Sequence, residues 1–260
     1  MTQVLQSGLG LVESVRWRAG RPWFADWFTG RILLGDTGET VAQLPAMPVC
    51  FDWLPDGRLV TTGGDGVLRR LESDGSLSVY AELGSLSDKP WNEVAVDANG
   101  SVFVDNIGFD FPTGDFAPGF VAVVTADGET RTVAEDLAFP NGMVVAGDVL
   151  LVAESYASRI TAFDIAPDGG LRNRRVWAQL ADGEAPDGIS LAPDGSLWYA
   201  SVPQQHCVRV AEGGAVLQTV ELDRGGFSCA IGAGTLYVAA ADFSTGNPAG
   251  TGQLLAFDVS

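Results

Sequence analysis

An all-β, six-bladed β-propeller with a central channel and four-stranded antiparallel blades is the fold class this sequence predicts. Three observations predict it. A strand-turn-strand unit recurs six times along the chain. The 260 residues include 33 glycines and 13 prolines, spread throughout, as many short strands and tight turns require. No stretch of useful length carries a helical period.

The unit is clearest at Ala185–Ser201. Ile189 and Leu191 alternate with small or polar neighbours, as a strand does. Pro193-Asp194-Gly195 supplies a fixed φ followed by a residue free to take φ > 0, which makes a tight turn. Leu197-Trp198-Tyr199 returns as a hydrophobic strand. The other copies are Val15–Trp27, Phe51–Thr62, Val94–Val104, Val144–Ala153 and Cys229–Ala240. Their turn glycines, Gly20, Gly57, Gly100, Gly147, Gly195 and Gly234, are separated by 37, 43, 47, 48 and 39 residues. A strand-rich period of roughly 40–50 residues is that of a propeller blade. A third apolar stretch follows each unit, such as Arg31–Leu34 or Arg159–Phe163, and often a fourth, such as Ser76–Tyr80. The Val4-Leu5 region is expected to add the outer strand of the last blade and close the ring. No linker divides the chain, so residues 1–260 are read as one domain.

The formal charge of -18 argues against a nucleic-acid backbone or an anionic membrane surface as partner. No apolar run approaches the ~20 residues of a membrane helix. The start, Met-Thr-Gln-Val-Leu-Gln-Ser, has no basic segment leading into an apolar one, so no secretory signal is expected. Cys50, Cys207 and Cys229 form no CxxC pair and read as small buried hydrophobes, which favours a reducing, cytoplasmic location. The sequence sets no oligomeric state.

In a propeller the first strand of each blade lines the channel, so equivalent strand-start positions form a ring at one mouth. Counted back from the turn glycines, these positions hold Glu13, Asn92, Asn141 and Asp187. The other two repeats offer Val49 or Cys50, and Gly226 to Ser228. Two carboxylates and two amide oxygens are a hard-oxygen set. It suits one divalent cation, Ca²⁺ first, with Mg²⁺, Mn²⁺ or Zn²⁺ as alternatives. Taken singly, Pro140-Asn141-Gly142 and Pro186-Asp187-Gly188 are ordinary turn sequences. Their register across repeats is what points to a shared site.

Over nearly its whole length the sequence resembles the gluconolactonase family that includes senescence marker protein 30 and regucalcin. The matching pieces are Leu11–Trp17, Trp91–Asp97, Phe139–Met143 with the later Ala153-Glu154-Ser155, and Pro186–Gly188 with the later Asp194–Trp198. The resemblance implies that Glu13, Asn141 and Asp187 hold one divalent cation. It also implies that Asn92 contacts substrate or a metal-bound water and that Asp187 serves as general base. The chain departs from the family at three places. Pro90, beside Lys89, replaces an Arg; Glu93 replaces an Asp; Glu154-Ser155 replaces an Asp-Ser. Lys89, Glu93 and Glu154 are therefore further candidates for substrate contact. The family's Arg contacts sugar-acid hydroxyls, so Pro90 argues against a sugar lactone.

The chemistry implied is metal-dependent hydrolysis of a lactone or related cyclic ester, with a small molecule as substrate. The same site could serve ester or phosphotriester hydrolysis, ring formation or isomerisation. A non-catalytic ligand- or protein-binding propeller is the reading from another class. Phe109–Pro118 reads as a projecting loop, whose three phenylalanines either cover the mouth, with Phe109 at the substrate, or pack on the blade. His206 is the sole histidine and is expected in a loop, which disfavours a Ser-His-Asp hydrolase. Lys89 is the sole lysine, and no GxxxxGK phosphate loop occurs.

Overall fold

Alternation and turn chemistry build each blade from the inside out. The computed structural model describes residues 2–45, 47–244 and 246–260. Its innermost strands are Val12–Arg18, Phe51–Trp53, Trp91–Val96, Pro140–Ala146, Pro186–Leu191 and Gly225–Gly232. Each turns back into a second strand, and two more follow outward, giving six four-stranded sheets. Every pairing is antiparallel, and the chain is a six-bladed β-propeller. Blades are numbered here by their innermost strands in that order. One 3-10 turn, Ser155–Ala157, is the sole helical element among the described residues. No helix is long and apolar enough to cross a membrane.

The ring closes through Thr2–Leu9, which pairs with Gly252–Asp258 and sets Val4 opposite Leu255. The six turn glycines all have positive φ, between 64° and 88°. At Ala19-Gly20 and Ala233-Gly234 both turn residues lie at positive φ, the two-residue turn whose twist matches the flanking strands.

The core is six radial layers rather than one central mass. A buried apolar cluster fills each gap between neighbouring blades. Phe24, Phe51, Phe103 and Trp198 are among the largest fully buried side chains. Cys50, Cys207 and Cys229 are buried, unpaired members of these layers.

Five innermost strands slip register at the same depth. The shifts fall between Glu13 and Arg16, Trp91 and Val94, Pro140 and Met143, Pro186 and Ile189, and Gly226 and Ser228. Phe51–Trp53 of blade 2 stays regular. A bulge bends a strand and re-aims a side chain. Pro140-Asn141-Gly142 and Pro186-Asp187-Gly188 are thus bulged strand starts, whereas Pro193-Asp194-Gly195 is a true turn. Their glycines let neighbouring strands approach. A Cβ on Gly142 would stand 2.3 Å from the Asp187 carbonyl oxygen, and one on Gly188 would stand 2.6 Å from the Ser228 Cα.

Candidate active site at the channel mouth

The bulges bring the four expected oxygen-bearing residues into one network. Asn92 Nδ2 donates to Asn141 Oδ1 at 3.2 Å, and Asn141 Nδ2 lies 3.4 Å from Ser155 Oγ. Ser155 in turn donates to the Pro186 carbonyl at 2.7 Å, tying blade 4 to the residue before Asp187. Glu13 accepts from the Ser14 amide at 3.0 Å. Ser228 Oγ accepts from the Val15 amide and Ser14 Oγ from the Phe51 amide, at 2.9 and 3.1 Å. These equivalent serines lock successive blades together and make Phe227 the sixth-blade counterpart of Glu13.

Burial and repulsion from neighbouring carboxylates act together on the two carboxyls of the mouth. Burial pushes the Glu13 carboxyl well above the usual range, and the Asp187 charge pushes it further; the Ser14 amide opposes them. Asp187 is displaced upward too, first by burial and then by Glu93, with the Asn141 amide opposing. Asp187 Oδ1 is buried without a hydrogen-bond partner. An orphaned carboxylate oxygen beside a second, buried carboxylate and the Asn141 amide oxygen fits a hard divalent cation, which would relieve both the repulsion and the lost hydration. Glu13, Asn141 and Asp187 are the residues able to hold it. Among the described residues no group of three or more His, Cys, Asp and Glu is set to hold a metal. This set contributes only two carboxylates to such a group, its third donor being an amide.

Beneath the mouth lies a layer that sequence reasoning missed. Arg16 Nη2 pairs with Glu93 Oε1 at 2.8 Å, and the Val94 amide donates to that same oxygen at 2.8 Å. Glu93 is therefore a buried partner of Arg16. Asp105, fully buried, accepts from the Glu93 amide, and its Oδ2 has no partner. Burial raises the Asp105 carboxyl well above its usual range, and the Glu93 charge adds to this. A carboxylate inside the apolar run Val102-Phe103-Val104-Asp105 was the available signal. A cavity of about 250 Å³ opens in the other half of the channel, against Val15, Arg16, Asp52, Val96, Val144 and Ser190. Arg16 lines this cavity and Glu93 does not, so their ion pair sits between cavity and mouth. The carboxylates converge at the mouth, and we place the site there.

Three other candidates stand apart. Glu154 is buried and fully engaged: Arg159 binds it at 2.9 and 2.8 Å, the Ala138 amide at 2.8 Å, and Thr161 and Arg174 complete its shell. It fastens the edge of blade 4 and has no free oxygen for substrate, a correction to the sequence expectation. Lys89 is tethered to Asp110 at 3.0 Å, on the rim. Phe109 is buried at the centre of an aromatic group with Phe111, Phe116, Phe139 and Tyr156. His206 begins a strand of blade 5 rather than lying in a loop, and its Nε2 is 3.0 Å from Glu184 Oε2.

Comparison with known proteins gives one family and a set of similar folds. The sequence matches the SMP-30/gluconolactonase/LRE-like region over residues 11–242. A gluconolactonase from Xanthomonas campestris is 20% identical with a TM-score of 0.79, covering 100% of this chain and 89% of that one. A luciferin-regenerating enzyme is 17% identical with a TM-score of 0.80, covering 98% and 94%. Regucalcin from Agrobacterium tumefaciens, described as a calcium-binding protein, is 18% identical with a TM-score of 0.79, covering 98% and 92%. At these identities the structures share the fold, and the sequence match carries the kinship: the chain belongs to the SMP-30/gluconolactonase/LRE-like family.

Proposed function

We propose that this protein is a divalent-cation-dependent hydrolase of a lactone or related cyclic ester. The observation that carries the reading is the unpartnered Asp187 Oδ1, set beside Glu13 and the Asn92–Asn141 pair at the mouth. Glu13, Asn141 and Asp187 hold the cation, with Ca²⁺ favoured by the all-oxygen donor set. When bound, the cation supplies positive charge that polarises an ester carbonyl. Asn92 orients the substrate by its side-chain amide. Asp187 accepts a proton from water as the water oxygen bonds to the acyl carbon. The acyl carbon–ring oxygen bond then breaks, and the departing oxygen takes the proton as an alcohol. Lactone and water thus balance as one hydroxy acid. The buried Arg16–Glu93 pair fixes the strand start beneath Asn92.

The experiment is proton release from a lactone panel in a pH-stat, with chelator-stripped and Ca²⁺-reloaded protein. Turnover should appear only after reloading. Asp187→Ala should lower it at least ~100-fold, as loss of a general base and of a cation ligand together would do. Equal rates in stripped and reloaded protein would contradict the reading.

A further inference from the structure

The mouth is flanked by aromatic surface that the hydrolytic residues do not use. Phe139 lies two residues before Asn141 and stacks on Tyr156, with ring centroids 4.7 Å apart. Tyr156 follows Ser155, the hydroxyl that meets the Asn141 amide. Phe109 packs beneath both, and Phe116 lies 5.8 Å from Tyr156. Across the mouth, Phe227 occupies the ring position of Glu13, with Phe243 at 6.0 Å. Tyr156, Phe116 and Phe243 remain 56%, 52% and 46% exposed. Clustered aromatic exposure of this kind is costly in water and marks a binding surface. This wall joins the cluster through Phe139-Pro140-Asn141, with Phe139 buried behind Tyr156, so a molecule whose carbonyl reaches Asn141 has the exposed rings of Tyr156 and Phe116 beside it. The one lysine of this rim, Lys89, is held by Asp110.

We infer that the substrate is a lactone bearing an apolar substituent, aryl or extended alkyl, on its ring, packed against Tyr156 and Phe116. This rests on the proposed hydrolase reading and narrows it. A polyhydroxylated ring would press its hydroxyls against aromatic faces that return no hydrogen bonds, and each desolvated hydroxyl costs affinity. A phenyl group gains instead by offset or edge contacts with the existing rings.

The test compares δ-valerolactone, its 5-phenyl derivative and glucono-1,5-lactone on the Ca²⁺-loaded protein. The phenyl lactone should have the highest kcat/KM, by about tenfold or more over the parent ring, the scale of one apolar pocket contact. Tyr156→Ala and Phe116→Ala, both at exposed positions, should raise KM for the phenyl lactone and bring that ratio toward one. Glucono-1,5-lactone as the best substrate, or a ratio indifferent to both variants, overturns the inference and leaves the hydrolase standing. Binding of 6-phenyl-2-piperidinone, a lactam that is not hydrolysed, is followed by calorimetry in parallel. No turnover of any lactone, with the lactam still bound and weakened by Tyr156→Ala, removes the hydrolase reading and supports the aromatic wall. Failure to bind the lactam overturns the wall.

Discussion

Asp187 and Asp105 each carry one buried, unpartnered carboxylate oxygen, yet their positions differ. Asp187 reaches the mouth, where a cation can compensate it. Asp105 lies below, on the second strand of blade 3, fully buried and accepting from the Glu93 amide. Its carboxyl is raised in the folded state, so its stabilising contribution is complete at acid pH below the unfolded value. That contribution is lost as pH climbs through the raised folded value. Asp105→Asn keeps an oxygen for the Glu93 amide and removes the charge. Between about pH 5 and pH 8 the chelated wild type should lose more stability than the variant, by roughly 1 kcal/mol or more, the cost of an unsatisfied buried group. Urea midpoints at both pH values measure this, and parallel declines would contradict it. Single residues were unevenly legible in the sequence. Glu13, Asn92, Asn141 and Asp187 were found by register. Glu154 shared the chemistry but not the place, because strand pairing carries it to Arg159 at the blade edge. Asp105 and Arg16 escaped notice because their partners come from other blades or strands.

The innermost strand is the element that converts repeat into site. In five of the six blades its bulge re-aims one side chain, and at Gly142 and Gly188 the absence of a side chain lets the next blade close in. Gly142 shows the constraint most directly, since added bulk meets Asp187 and Gly188 backbone rather than a movable side chain. Gly142→Ala should displace Asp187, lowering lactone turnover about 100-fold, the scale of a 1 Å misplacement. Its stability loss should stay near 1–3 kcal/mol, as for overpacking. Gly84→Ala, with nothing within 4 Å of its added Cβ, is the control and should change neither. Turnover and melting temperature of the two variants decide the point. From sequence, Pro-Asn-Gly and Pro-Asp-Gly looked like turns because the same residue types serve turns and bulges. Only pairing partners such as Pro140 with Glu154 tell them apart. The 109–118 loop kept two sequence readings open, and burial of Phe109 in an aromatic cluster favours packing over a place at the substrate for that residue. Phe109 packs inward, while Phe111 and Phe116 stay exposed at the rim.

At the scale of the whole molecule, six blade interfaces replace one core, so each blade is stabilised by its neighbours and the channel needs no filling. This architecture was legible because it is periodic: glycine spacing, strand alternation and the closing N-terminal strand all follow from local chemistry. What the periodicity did not reveal is depth along the channel. That depth separates the mouth, with Glu13 and Asp187, from the Arg16–Glu93 layer and from the cavity beyond. The net charge of -18 would favour the approach of the cation proposed for the mouth. Calorimetric titration of Ca²⁺ into chelator-stripped protein tests the central claim most directly. Wild type should bind one Ca²⁺ per chain, a stoichiometry set by the single donor set, and Asp187→Ala should bind none. Absence of binding by the wild type, or unchanged binding by the variant, would contradict the account of the mouth.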